Sequence, residues 1–201
     1  MRRPFPSLLL VAVLAAMAGP PVVASAGGLT APAARPAPRA PVAYRADAWI
    51  KLCGLSTGCT IDPPPHPWRG NDVYNDSGRK QAVAVRMEDG EGVRFWITLQ
   101  NDGAQPDTLT LEGCRGNGRF VVNKVQLGEH KRPDAGSTKI TRKFIRGTAR
   151  FDLAPSSKAV VTLNIIAPTT AEGVSYRCPV TVGSGGDPAS SDTVVAEMTT
   201  Y

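Results

Sequence analysis

Histidine is almost missing from this chain: His66 and His130 are the only two in 201 residues. An imidazole-rich zinc site is excluded for want of ligands, and a catalytic serine would have to take its base from one of these two loop positions. Also missing is an apolar run long enough to cross a bilayer comfortably; the stretch from Leu8 to Ala18 is too short, and nothing later attempts it. No segment sustains a helical period and no repeat recurs, which argues against helical bundles and solenoids. Nor is the charge extreme. The formal value is +6, and +4 once Arg2 and Arg3 are set aside. That suits a chain that tolerates anionic surfaces, and falls short of a committed nucleic-acid binder.

What is present begins with an export signal. Met1-Arg2-Arg3, the apolar Leu8 to Ala18 and the small-x-small Ala24-Ser25-Ala26 are a basic n-region, an h-region and a cleavage site. Pro6 stands where a twin-arginine signal wants an apolar residue, so ordinary secretion of the unfolded chain is expected. The sequence divides into a signal peptide over 1–26, a Pro/Ala-rich extended linker over 27–46 and one folded domain over 47–201. With the leader removed, the chain is expected outside the cytoplasm.

The domain reads as short strands. Val93, Phe95, Ile97 and Leu99 share one face of a strand, with Arg94, Trp96, Thr98 and Gln100 on the other. The same period of two, or a similar apolar run, marks Ala48–Leu52, Gln81–Met87, Thr108–Leu111, Phe120–Leu127, Thr148–Leu153, Ala159–Ile166, Val174–Val182 and Thr193–Met198. Gly, Pro, Asn and Asp fill the gaps. Seven to nine such strands predict an all-β, antiparallel sandwich.

Several of these segments carry a resemblance. They are Asp47-Ala48-Trp49-Ile50-Lys51, the loop Gly70-Asn71-Asp72-Val73-Tyr74-Asn75, the turn Trp96-Ile97-Thr98-Leu99-Gln100-Asn101-Asp102-Gly103 and the following Asp107-Thr108-Leu109. Together with Leu153-Ala154-Pro155 and Asp192-Thr193-Val194, they are similar to immunoglobulin-like β-sandwich modules of large bacterial secreted and surface proteins. The resemblance covers about Asp47 to Thr199. It implies a non-catalytic spacer or binding unit, with no active-site pattern to carry over. This chain differs in being a single copy and in having four cysteines.

Four cysteines allow three pairings. Cys53 and Cys59 straddle Gly54 and Gly58 and close a local loop easily, which leaves Cys114 with Cys178. The long bridge is expected to tie the two sheets or two distant strands. Tyr176, two residues before Cys178, has the spacing of an immunoglobulin tyrosine corner. Zinc would require two close cysteine pairs, and Cys114 and Cys178 have no such neighbours.

Four motifs invite a chemical reading. Gly54-Leu55-Ser56-Thr57-Gly58 has the letters of a nucleophile elbow, but that device needs a strand before the serine and a helix after it. Asp62-Pro63-Pro64-Pro65 follows here and cannot be helical; a serine hydrolase through Ser56 is therefore a rival and not the reading. Glu88, Asp89 and Glu91 crowd one Gly-containing turn, whereas glycoside hydrolysis needs two acids across a bond. Asp62, Asp72, Asn75 and Asp76 lack a calcium-loop spacing and read as turn-makers, so no metal and no cofactor is expected. Trp68, among prolines, reads as a lid over a sheet edge before a sugar-stacking residue. The most charged stretch, Arg115 to Arg150, holds Lys139, Arg142, Lys143 and Arg146 as a candidate polyanion-binding group. If that segment were one strand, Arg142 and Arg146 would face away from Lys139 and Lys143.

The resulting expectation is a secreted, non-catalytic interaction or structural module at or near the cell surface. Its partner would be an extracellular protein or an anionic polysaccharide, with no nucleic acid and no membrane span. The rival is an inhibitor-like effector using the basic face or the disulfide loop. Secreted material should begin near Gly27 and contain no free thiol. Intact mass before and after reduction measures both, and labelling of the native protein by a thiol reagent would refute the second.

Overall fold

Alternation along the chain becomes two layers of strands. The computed structural model describes residues 41–54, 67–129, 136–169 and 172–201. Its strands are β1 (Ala46–Gly54), β2 (Ala82–Met87), β3 (Gly92–Asn101), β4 (Asp107–Gly113), β5 (Val121–Glu129), β6 (Thr138–Lys139), β7 (Ala149–Leu153), β8 (Lys158–Ile166), β9 (Ser175–Ser184) and β10 (Ser191–Thr200). One sheet has the order β1-β3-β8-β5-β6 and the other β2-β10-β9-β4-β7. The chain is an antiparallel-rich β-sandwich, as its alternation predicts.

Two features lie outside that expectation. The β2–β10 pair is parallel, with Ala196 opposite Val83. A five-residue helix, α1 (Thr141–Ile145), interrupts the basic stretch just after the two-residue β6. The helix is too short to leave a period in the sequence, and a strand's period does not say whether its neighbour runs parallel or antiparallel.

The register explains the core. Leu52, Phe95, Leu163 and Val125 lie side by side across the first sheet, as do Ile50, Ile97, Val161 and Leu127. In the second sheet Val194 stands opposite Val180 and Ala196 opposite Cys178. Leu111 meets Val182 on one side and Ala149 on the other. These inner faces form one continuous apolar cluster, each large side chain contributing roughly 1.5–3 kcal/mol by leaving water.

The free edge of β1 is closed by side chains and a loop rather than by another strand. Ala46 N–H donates to Ser190 Oγ at 3.2 Å, and Ala48 N–H to Asp192 Oδ2 at 2.8 Å. Ile50 exchanges two backbone bonds with Arg69, both 2.8 Å. Asp192 is wholly buried on β10 of the opposite sheet. Its Oδ1 accepts from Asn75 N–H at 3.0 Å, Gln81 Nε2 at 2.6 Å and Thr193 N–H at 3.0 Å. Four donors on one carboxylate make its burial tolerable.

Cys114 and Cys178 are joined, their Cα atoms 5.1 Å apart. Cys178 lies in β9 and Cys114 directly follows β4, the neighbouring strand, so the bridge reinforces a single sheet and does not tie the two sheets together. Cys53 is also disulfide-bonded; Cys59 lies outside the described residues. Tyr176 departs from a local corner. Its hydroxyl accepts from Gly116 N–H at 2.9 Å, sixty residues upstream, and its ring stacks on Phe120 at 5.2 Å. It thus clamps the turn that follows the disulfide.

Gly113, at the end of β4, marks the tightest packing. A Cβ there would fall 1.8 Å from Cζ of Phe144, the wholly buried residue that anchors α1. Gly113→Ala should therefore destabilise the fold by about 1–3 kcal/mol, the usual cost of overpacking a core. Urea denaturation of the oxidised protein measures it, and an unchanged midpoint would show that α1 lifts away without penalty.

Candidate functional site

Asp47 occupies an outward-facing position on β1 yet is wholly buried. It stands opposite Gln100 of β3, and the segment from Pro67 to Asn75 crosses this face. Asp72 belongs to that segment, with φ at 58°, a conformation that Asp adopts more readily than most residues. Asp102 sits in the turn after β3. That turn is held by Asn101, whose Oδ1 accepts from Gly103 N–H at 2.9 Å and whose Nδ2 donates to the carbonyls of Gln105 and Leu153. A Cβ at Gly103 would lie 2.4 Å from the carbonyl oxygen of Ala43, so only glycine lets these two backbones meet.

The three carboxylates converge, with one oxygen from each lying within 4.8 Å of the others. Tyr74 Oη donates to Asp102 Oδ2 at 2.6 Å and approaches Asp72 Oδ1 at 3.3 Å. Gln100 Nε2 donates to Asp102 Oδ1, and Asn71 Nδ2 to Asp72 Oδ2 at 2.6 Å. Arg45 lies over the Tyr74 ring at 4.7 Å. Among the described residues Asp47 receives only a long 3.5 Å contact from Asp72 N–H, on Oδ2. Burial, and then the neighbouring charges of Asp102 and Asp192, push its carboxyl up to about 7. Burial likewise raises Asp192, despite its four donors. Tyr74 is raised too, by burial and by its bond to Asp102.

Further along the same face lie all three tryptophans. Trp68 meets Trp49 edge-on at 5.7 Å. Lys51 Nζ stands 4.9 Å from the Trp68 ring and 4.6 Å from Trp96, and Lys158 Nζ 4.2 Å from Trp49. Ammonium groups over indole faces are favourable electrostatically, so this layer is already occupied by the chain's own cations. Trp68 covers the sheet here, as a lid would. On this second face of β3, Trp96 and Thr98 are both buried, and Trp68 packs against Trp96.

The candidate basic group is partly brought together. Because α1 replaces the strand, Arg142 and Arg146 lie one turn apart and share a hollow of about 460 Å³ with Lys139, Asn123, Thr141 and Ile145. Lys143 is exposed but does not line it. Among the described residues none of the four makes an ion pair, although the Glu112 carboxylate borders Gly147 just beyond the helix.

Other sequence candidates resolve differently. Ser56, Cys59, Asp62, His66 and His130 lie outside the described residues. Asn75 is a turn-maker, its Oδ1 accepting from Ser77 N–H, Ser77 Oγ and Arg79 N–H. Glu91 caps its own turn through Glu88 N–H at 3.0 Å. Asp72 instead joins Asp47 and Asp102, a set no local spacing announces.

No protein-family model matches this chain, and no curated protein does. Among solved structures it is similar to a family 123 glycoside hydrolase from Clostridium perfringens, at 14% identity and a TM-score of 0.41. That match covers 60% of this chain and 23% of the enzyme. The N-terminal domain of PorA matches at 15% identity and TM-score 0.38, over 59% of this chain and 86% of that one. A PapD-like domain of human CEP192 matches at 12% and 0.31, over 59% and 78%. Nothing those proteins do transfers to this chain at such similarity.

The raised Asp47 carboxyl has a measurable consequence. Between about pH 4 and 7 the folded chain keeps a proton that the unfolded chain, with its ordinary value of 3.8, has released. Asp47 therefore favours the fold fully below pH 4, and that contribution is lost as pH rises through about 7. Asp102, Asp192 and Asp72 act on its charge, and Tyr74 in turn feels it. In buffer with chelator, Asp47→Asn should flatten this slope and stabilise the protein at pH 8 by on the order of 2 kcal/mol. Denaturation at pH 5 and pH 8 compares the two proteins; parallel pH profiles would contradict it.

Proposed function

We propose that this chain is a non-catalytic immunoglobulin-like module that works outside the cytoplasm and holds an anionic polysaccharide on its basic hollow. The carrying observation is the placement of Lys139, Arg142 and Arg146 around one concavity, with no ion pair to any of them among the described residues. Guanidinium groups donate in a planar fork that suits carboxylate and sulfate oxygens. Because the three cations are solvent-exposed, the attraction is long-ranged and screened by salt.

The compartment rests on two supports. The leader over Met1–Ala26 has the layout of a secretory signal, and the Cys114–Cys178 bridge belongs to an oxidising environment. Among the described residues no helix is long and apolar enough to cross a membrane. The non-catalytic reading follows the resemblance to spacer and binding modules, together with the poor context of Ser56 for an elbow.

Retention on a heparin column tests the binding. The wild type should elute at higher salt than Lys139→Gln/Arg142→Gln/Arg146→Gln, while Lys143→Gln should shift elution less than any one of those changes. Equal elution of wild type and triple variant would end the polysaccharide reading. Retention by an acidic protein surface but not by heparin would point to a protein partner instead.

A further inference from the structure

We propose that Asp47, Asp72 and Asp102 form a calcium site that links β1, the loop before β2 and the turn after β3. Calcium holds its oxygen ligands at about 2.3–2.6 Å, so two ligands on one ion lie no more than about 5 Å apart. One oxygen from each of these carboxylates meets that limit, all within 4.8 Å.

Clustered acids alone would not carry the assignment; the second observation is an orphaned acceptor. Asp47 has no solvent exposure, and its Oδ1 receives no hydrogen bond. Gln100, opposite it in the ladder, has a buried Oε1 in the same condition. Buried polar atoms are almost always paired, and leaving one unpaired is costly. Both atoms are acceptors beside two further carboxylates, so what they lack is a proton or a cation. Among the described residues none of the three acids makes an ion pair, and Arg45 lies on the Tyr74 ring instead.

Ligand chemistry selects the ion. Every donor is oxygen, with neither imidazole nor thiolate, which suits a hard cation. The three acids come from a strand, a loop and a turn, an irregular frame that calcium accepts and the stricter octahedron of magnesium does not. Tyr74 and Asn71 occupy one direction on the Asp72 and Asp102 oxygens, and a carboxylate oxygen keeps a second lone pair for the metal. This set shares only Asp72 with the four residues whose spacing failed as a calcium loop.

The test uses the purified, oxidised chain stripped with EDTA. Calorimetric titration with CaCl₂ should show saturable binding, and the melting temperature should rise by several degrees relative to NaCl at equal ionic strength. Terbium(III), which replaces calcium on oxygen ligands, should give luminescence sensitised by Tyr74 that CaCl₂ displaces. Asp72→Asn/Asp102→Asn should weaken calcium binding at least tenfold. Should that variant fail to fold, Asp72→Asn alone, at an exposed position, should weaken it at least threefold. Absence of saturable binding, or undiminished binding by folded Asp72→Asn, would overturn the site. Equal affinity for MgCl₂ would overturn its assignment to calcium.

Discussion

The carboxylate of Asp192 is the constraint on which the rest depends. It sits on a central strand of one sheet and accepts the N–H of Ala48 from the edge strand of the other, while also holding Asn75 and Gln81. One buried group thereby fixes the distance between sheets, closes part of an exposed strand edge and anchors the loop that carries Asp72 and Tyr74. Sheet edges left open invite association with other chains. Here the protection and the geometry of the acidic end share a single cause. Removing the carboxylate would leave several buried donors without partners, a heavier loss than the bonds themselves.

The fold was legible because its strands are half-buried and so keep their period. Val93, Phe95, Ile97 and Leu99 face the core as their alternation says, and all nine segments read as strands are strands. The failures share a physical reason. Parity puts Trp96 and Thr98 on the second face of β3 but carries no information about what a distant segment will cover there, and Trp68 packs against Trp96. The helix α1 left no trace because five residues make barely more than one turn. That turn decides which basic residues share a hollow.

The acidic end was illegible for a related reason. Asp47, Asp72 and Asp102 come from three elements, and in sequence each has an ordinary local use beside a glycine, an asparagine or a strand start. Only the pairing of β1 with β3 and the Asp192 anchor bring them together. The disulfide is the opposite case. Elimination by spacing found Cys114–Cys178, but spacing could not say that the bridge lies within one sheet.

The parallel pairing of β2 with β10 also orders the steps of assembly. β10 is the last of the ten strands to be synthesised, yet it lies between β2 and β9, and it carries Asp192. β2 has no other neighbour in its sheet, so the early part of that layer stays without its partner until the final strand arrives. Non-local pairing of this kind makes folding slow. A growing chain therefore cannot close this sheet before β10 itself has been made, and until then β2 lacks the strand that it pairs with.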